Sequence, residues 1–238
     1  MSTNLPSPAF PAARYLDLSQ TAHAALFAEG EEVWQVLPKI GPYLRERLAR
    51  LGGGFHGKKL GEPYIGTEVY IGAGTVVEPG AVIKGPAWIG ENCEIRAGAY
   101  VRENVIVGDG AVLGNSCEFK NCLLFNGCQV PHYTYVGDSI LGHKAHLGAG
   151  VILSNFKLTG DEISVRAEGT GGPVRTGLRK FGAIVGDRAE VGCQAVINPG
   201  SILGREAMLY PGVVWSGVLA ERTVVKHRPD YVLQPRRG

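Results

Sequence analysis

Residues 71–113 read IGAGTVVEPGAVIKGPAWIGENCEIRAGAYVRENVIVGDGAVL. A large apolar residue falls at every sixth position: Ile71, Val77, Ile83, Ile89, Ile95, Val101, Val107 and Leu113. The count reaches back to Ile65 and forward to Phe119 and Phe125. Four residues after the anchors stand small ones, among them Thr75, Ala81, Ala87, Cys93, Ala99, Ala111 and Cys117, until Leu123 and Gln129 depart from the rule. A helix face repeats every 3.6 residues and cannot carry this beat. Short strands joined by turns can, when three six-residue sides wind into a triangular coil, a parallel β-helix. The anchors then point inward, each contributing about 1.5–3 kcal/mol on full burial. Small residues fit the corners, which makes Cys93 and Cys117 packing residues rather than reagents.

Composition agrees. The chain has 35 glycines in 238 residues, about twice average usage, without the spacing of collagen. An apolar fraction of 45% excludes disorder, and a formal net charge of +2 gives no footprint for nucleic acid or a membrane surface. No apolar run approaches the roughly 18 residues of a membrane span, and the first residues lack the pattern of a signal peptide. Five cysteines without zinc-finger spacing point to reduced thiols and a cytoplasmic protein.

Residues 1–62 stand outside the repeat. LSQTAHAALF, EEVWQVL and GPYLRERLARL have helical spacing, so a helical prefix is expected, capping the open edges of the first coil. The β-helix is expected over 63–217, with a basic tail over 218–238. Leu153 to Val185 spans 32 positions where six are due, so 26 residues are inserted, over 157–182. They read as a hairpin, ISVR and PVRTG on either side of an EGTGG turn. The insert's excess of basic residues suits either a lid drawn to phosphates or a brace between subunits.

Residues eighteen apart stack about 4.8 Å from one another in such a coil. Lys84, Arg102 and Lys120 form one column, which reads equally as an anion site or a solvated basic edge. Tyr100, Glu118 and Tyr135 form another if one residue is missing from PHYTYVGD, residues 131–138. That gap is expected to re-aim the chain and turn His132 out of the lattice.

The run NSCEFKNCLLFNGCQVPHYTYVGDSILGHKAHLGAGVILSNF, residues 115–156, resembles the acetyltransferase half of the bifunctional N-acetylglucosamine-1-phosphate uridyltransferase/glucosamine-1-phosphate acetyltransferase family. TGLRKFGAIVGDRAEVGCQAVINPG, residues 176–200, is similar to archaeal sugar-1-phosphate nucleotidylyltransferases with the same β-helical end. The resemblance implies a left-handed β-helix, a homotrimer with clefts between neighbouring prisms, and acetyl-CoA as cosubstrate for an amino-sugar phosphate. It places His132 as the general base, with Glu118 orienting the ring. It also places Arg102 and Lys120 on the phosphate, Tyr135, Asn155 and His146 on the sugar, and Cys193, Pro211 and Arg228 along the cofactor. His146, Cys193 and Pro211 depart from the residue types of that family, and Pro211 has no N–H to donate. The prefix is too short for a nucleotidyltransferase fold, so no nucleotide transfer is expected.

Two rival readings stay open. His132, His143 and His146 suggest a zinc hydratase, although their spacing does not reproduce the H-x₄-H pair of such carbonic anhydrases. A non-catalytic trimer that binds a sugar nucleotide or a partner protein is the other.

Overall fold

The computed structural model describes residues 8–166, 172–228 and 232–236. Among these, three parallel sheets of nine, nine and eight strands form the walls of a prism. Wall 1 runs from Gly54–Phe55 to Val218–Leu219, wall 2 from Lys58–Lys59 to Val224–Val225, and wall 3 from Tyr64–Ile65 to Val214–Trp215. This is the all-β, three-sided parallel β-helix that the hexads require. The anchors from Ile71 to Phe119 are wholly buried inside it. Cys93 and Cys117 pack at corners as expected, and all five cysteines are free thiols. The coil starts earlier than residue 63 and ends later than 217. Gly54–Phe55 and Lys58–Lys59 already pair with the next turn, and Val224–Val225 still pairs with Met208–Leu209.

The beat does slip, but not beside His132. Val130 and Val136 are six apart, in register with Leu113 and Phe119. The five-residue sides are Phe119 to Leu124 and Val136 to Leu141, both at the edge between walls 3 and 1. There Asn121 (φ 45°) and Asp138 (φ 47°) turn the corner in the left-handed conformation that Asn and Asp tolerate. Leu124 is therefore the inward anchor, and Phe125 packs against Phe27 of the prefix, ring centroids 5.9 Å apart.

The prefix lies along wall 1 instead of over the first coil's open end. Six successive outward residues of that wall, Trp88, Ile106, Leu123, Ile140, Ile184 and Ile202, are all apolar and buried. A 3-10 segment, Val33–Lys39, continues into the helix Ile40–Leu51. Ile40, Leu44 and Leu48 give that helix one buried stripe. Gly41 lets it approach the coil, since a Cβ there would lie 2.8 Å from Asn104 Oδ1. LSQTAHAALF is not one helix but two 3-10 turns, Leu18–Gln20 and Ala24–Leu26. It must reach across successive turns of the coil, and Gln20 C=O accepts from Asn126 N–H at 3.2 Å.

The insert is the expected hairpin, Ser164–Val165 antiparallel to Val174–Arg175. Of its EGTGG turn, residues 168–171 lie outside the described residues, as do parts of the tail. Phe181 returns the chain to the coil against Trp34, centroids 5.9 Å apart.

Candidate functional site

The edge between walls 2 and 3 is a vertical ladder. Gly150 N–H donates to His132 C=O (3.0 Å), Gln194 N–H to Ala149 C=O (2.9 Å) and Gly212 N–H to Cys193 C=O (2.9 Å). His132, Ala149, Cys193 and Pro211 are thereby stacked in successive turns. His132 ends the strand Gln129–His132, and Tyr133 (φ 48°) turns the corner after it. Beneath it, a Cβ on Gly114 would sit 1.7 Å from Pro131 C=O, so only glycine lets these two turns close up. The Thr134 hydroxyl donates to His132 C=O at 2.9 Å and fixes the backbone. The imidazole is exposed and has no hydrogen-bond partner among the described residues. It stands out because it lies at a strand end, not because a residue was dropped beside it.

Wall 3 carries the phosphate candidates. Val82, Tyr100, Glu118, Tyr135 and Ile152 are in register, and Lys84, Arg102 and Lys120 follow two residues after the first three. The basic column exists, but carboxylates neutralise it. Arg102 donates to Glu118 at 2.8 Å and lies 3.6 Å from Glu103, and the Glu118 hydrogen bond raises the guanidinium's pKa further. Lys84 turns aside over the Tyr100 ring, 5.1 Å from its centroid. Lys120 Nζ is 3.7 Å from Asp138 Oδ2. Glu118 thus serves Arg102, and no hydrogen bond joins it to His132 among the described residues.

Asp138 was not among the expected site residues, yet it is where the polar side chains meet. Its carboxylate accepts from Asn121 Nδ2 at 2.8 Å and Asn155 Nδ2 at 2.6 Å. Asn155 also donates to the Tyr135 hydroxyl at 3.1 Å. Burial, then the charges of Asp138 and Glu118, push the Tyr135 phenol's pKa up. It is the neutral hydroxyl that belongs to this cluster. Gly137 makes the cluster possible, because a Cβ there would meet Tyr135 Oη at 2.4 Å.

His146 does not join these residues. It projects from wall 2, where Nδ1 contacts Glu190 Oε2 at 2.7 Å. It lines a groove of about 500 Å³ with Cys193, Met208, Tyr210 and Pro211. The structure therefore groups His146 with the cofactor candidates. Arg228 is exposed beyond the last strand and makes no hydrogen bond or ion pair among the described residues. His143 sits on the edge between walls 1 and 2, its ring on Asn126 C=O, so the three histidines do not converge. No group of three His, Cys, Asp or Glu side chains suited to a metal occurs among the described residues. No helix there is long and apolar enough to cross a membrane.

Comparison with known proteins adds a family context. The family profile described as GMPPB C-terminal domain matches residues 83–170. Over 95 residues the chain is 34% identical to the "Bifunctional sugar-1-phosphate nucleotidylyltransferase/acetyltransferase" of Sulfurisphaera tokodaii, covering 40% of this chain and 23% of that protein. Over 147 residues it is 39% identical to the "Putative uncharacterized acetyltransferase YaiX" of Escherichia coli, covering 62% and 63%. The chain is related to proteins named acetyltransferases. It spans about a quarter of the length of the first of these relatives and under two thirds of the second. Among solved structures, the GDP-perosamine N-acetyl transferase of Caulobacter crescentus with CoA and GDP-perosamine is 18% identical. That match has a TM-score of 0.36 and covers 78% of this chain and 61% of that one.

Proposed function

We propose that the chain is an acetyl-CoA-dependent N-acetyltransferase acting on an amino-sugar phosphate, assembled as a homotrimer. One observation carries the reading. An exposed imidazole without a hydrogen-bond partner among the described residues stands on an edge that has a polar, phosphate-suited wall on one side and an apolar groove above it. Relatives named as acetyltransferases support it.

The groove's Met208, Tyr210 and Pro211 suit the apolar arm of a thioester cosubstrate, and its Cys193 lies two turns above His132, about 10 Å away. Acetyl-CoA enters there as a substrate. Lys120 and Arg102 hold the phosphate, and Tyr135 and Asn155 the sugar, which sets the amine against His132. The nitrogen lone pair attacks the thioester carbonyl and the C–N bond forms. His132 takes the proton from nitrogen, the C–S bond breaks, and the imidazolium returns the proton to the leaving thiolate. An imidazole suits both transfers because it changes protonation state near neutrality. A phosphate that takes over Arg102 releases Glu118 from that contact, leaving its carboxylate free to support the imidazolium as it forms.

The test is release of free thiol from acetyl-CoA in the presence of glucosamine-1-phosphate and other amino-sugar phosphates. His132→Ala is expected to lower kcat by about 10²–10⁴-fold with little change in KM. Wild-type turnover in that variant removes His132 from the reaction. Absence of thiol release by the wild type across the panel removes the function.

A further inference from the structure

We propose that Asp138 is a positioning residue whose carboxylate aims the Lys120 ammonium and the Asn155 amide at the sugar substrate. The proposal rests on the reading of the site given above and names a residue that reading does not use. Asp138 and Lys120 have side chains only 6% and 18% exposed, so this ion pair is shielded from solvent. Glu118 and Glu103, the other carboxylates facing the basic column, are 36% and 41% exposed. Exposed pairs are screened and free to swing apart. Asp138 is the member of the set that stays put.

Its backbone is pinned as well. Asp138 N–H donates to Lys120 C=O at 3.0 Å, and Asp138 C=O accepts from Gly182 N–H at 2.8 Å. Asn121 holds Oδ1, which leaves Oδ2 to face Lys120 and Asn155. At 3.7 Å the Lys120 contact is an ion pair longer than a hydrogen bond. The ammonium is tethered while its N–H donors remain available for a phosphate oxygen.

Asn155 gains polarity from the same carboxylate. Its Nδ2 donates to Asp138 Oδ2 and to the Tyr135 hydroxyl, so the amide cannot flip without losing an acceptor. Asn155 Oδ1 is thereby fixed as the group turned away from Asp138. It accepts from a substrate N–H or O–H. With a neutral amide at position 138 only an uncharged carbonyl oxygen and the Tyr135 hydroxyl are left to hold that orientation, and the attraction on Lys120 is gone.

Asp138→Asn keeps the shape and tolerates the left-handed backbone. Titration calorimetry with glucosamine-1-phosphate and, separately, acetyl-CoA tests the proposal, alongside Tm. The sugar-phosphate Kd is expected to rise about tenfold, the scale of one lost charge-assisted contact, with acetyl-CoA Kd and Tm held. An unchanged sugar-phosphate Kd overturns the proposal. So does a loss of both affinities together with a large fall in Tm. If the variant does not fold, Asn121→Gly frees the carboxylate to rotate and is expected to raise the sugar-phosphate Kd alone, about threefold; no change there overturns the proposal. A wild type that does not bind glucosamine-1-phosphate overturns both the site reading and this inference. Binding that responds to Asp138→Asn without any acetyl transfer supports the inference and overturns only the reaction.

Discussion

Gly137→Ala would place a methyl group 2.4 Å from Tyr135 Oη, 2.7 Å from Tyr135 Cζ and 2.8 Å from Asn155 Nδ2. All three atoms are far ends of side chains, and Gly137 sits in a regular strand opposite Lys120, so the backbone accepts alanine. Relief requires Tyr135 and Asn155 to withdraw by about 1 Å to reach ordinary contact distance. The 3.1 Å hydrogen bond between them breaks, and the 2.6 Å bond from Asn155 to Asp138 is misaligned. One to two hydrogen bonds at about 1 kcal/mol each sets a loss of about 1–2 kcal/mol. Removing a glycine from the unfolded chain returns about 0.4–1 kcal/mol. Global stability should therefore fall by about 1.6 kcal/mol at most, read as a small shift in the urea midpoint at constant m. The sugar subsite takes the main effect, because Tyr135 and Asn155 no longer present their polar atoms as built. KM for glucosamine-1-phosphate should rise about 5–30-fold, the equivalent of about 1–2 kcal/mol, with KM for acetyl-CoA unchanged. Unchanged sugar KM in a folded Gly137→Ala protein would refute the reasoning, since Tyr135 and Asn155 would then be idle.

Two further outcomes follow from burial. His23 is buried among Tyr43 and Trp88, and burial, then the Arg47 charge, pull its pKa down from 6.5 to about 3. The folded state keeps the neutral ring while the unfolded state takes up a proton below pH 6.5. Stability is therefore full above that pH and falls by up to about 1.4 kcal/mol per unit as pH drops toward 3. Urea unfolding at pH 7, 6 and 5 should show the fall, and His23→Gln should flatten it; a slope unaltered by that substitution assigns it elsewhere. Cys193 is the exposed thiol, whereas burial pushes the Cys93, Cys117, Cys122 and Cys128 thiols up in pKa. An aromatic disulfide reagent should titrate one thiol quickly in native protein and five in denaturant. Fast reaction of more than one native thiol contradicts the packing of the corners.

The prism was legible because its signal is repeated: each anchor and each corner residue votes for the same period. In the prefix the helix Ile40–Leu51 was legible, whereas LSQTAHAALF and EEVWQVL hold 3-10 turns, and the place of the prefix on the coil was not legible. The clue was available at Trp88, Ile106, Leu123, Ile140, Ile184 and Ile202, one apolar outward residue per turn of a single wall, which a solvent-facing wall would not carry. The first slip, at Phe119 to Leu124, reads from sequence as lying beside His132 because Phe125 satisfies the hexad rule as well as Leu124 does. Only pairing with Val107 separates them. The column of Arg102 and Lys120 was readable from an eighteen-residue spacing. Its neutralisation by Glu118 and Asp138 was not, since those contacts depend on side-chain direction and on Asp138 standing at a shortened corner. Likeness of sequence puts His146 with the sugar, whereas the pleat directs it to wall 2 and to Glu190.

A stack of identical storeys ordinarily frays from its ends, because each storey touches only the next. Here the segment Ala13–Gln20 is bonded to residues more than a hundred positions away. Arg205 Nη2 donates to Ala13 C=O at 3.0 Å, Asp187 N–H to Tyr15 C=O at 3.0 Å, and Asp17 N–H to Asp187 Oδ2 at 2.7 Å. The same strap reaches Asn126 and, through His23, Trp88. Loosening the upper storeys therefore means peeling the strap, and peeling the strap uncovers the lower ones. That lashing raises the contact order, so the chain should fold more slowly than a bare solenoid of its length and melt as one cooperative body.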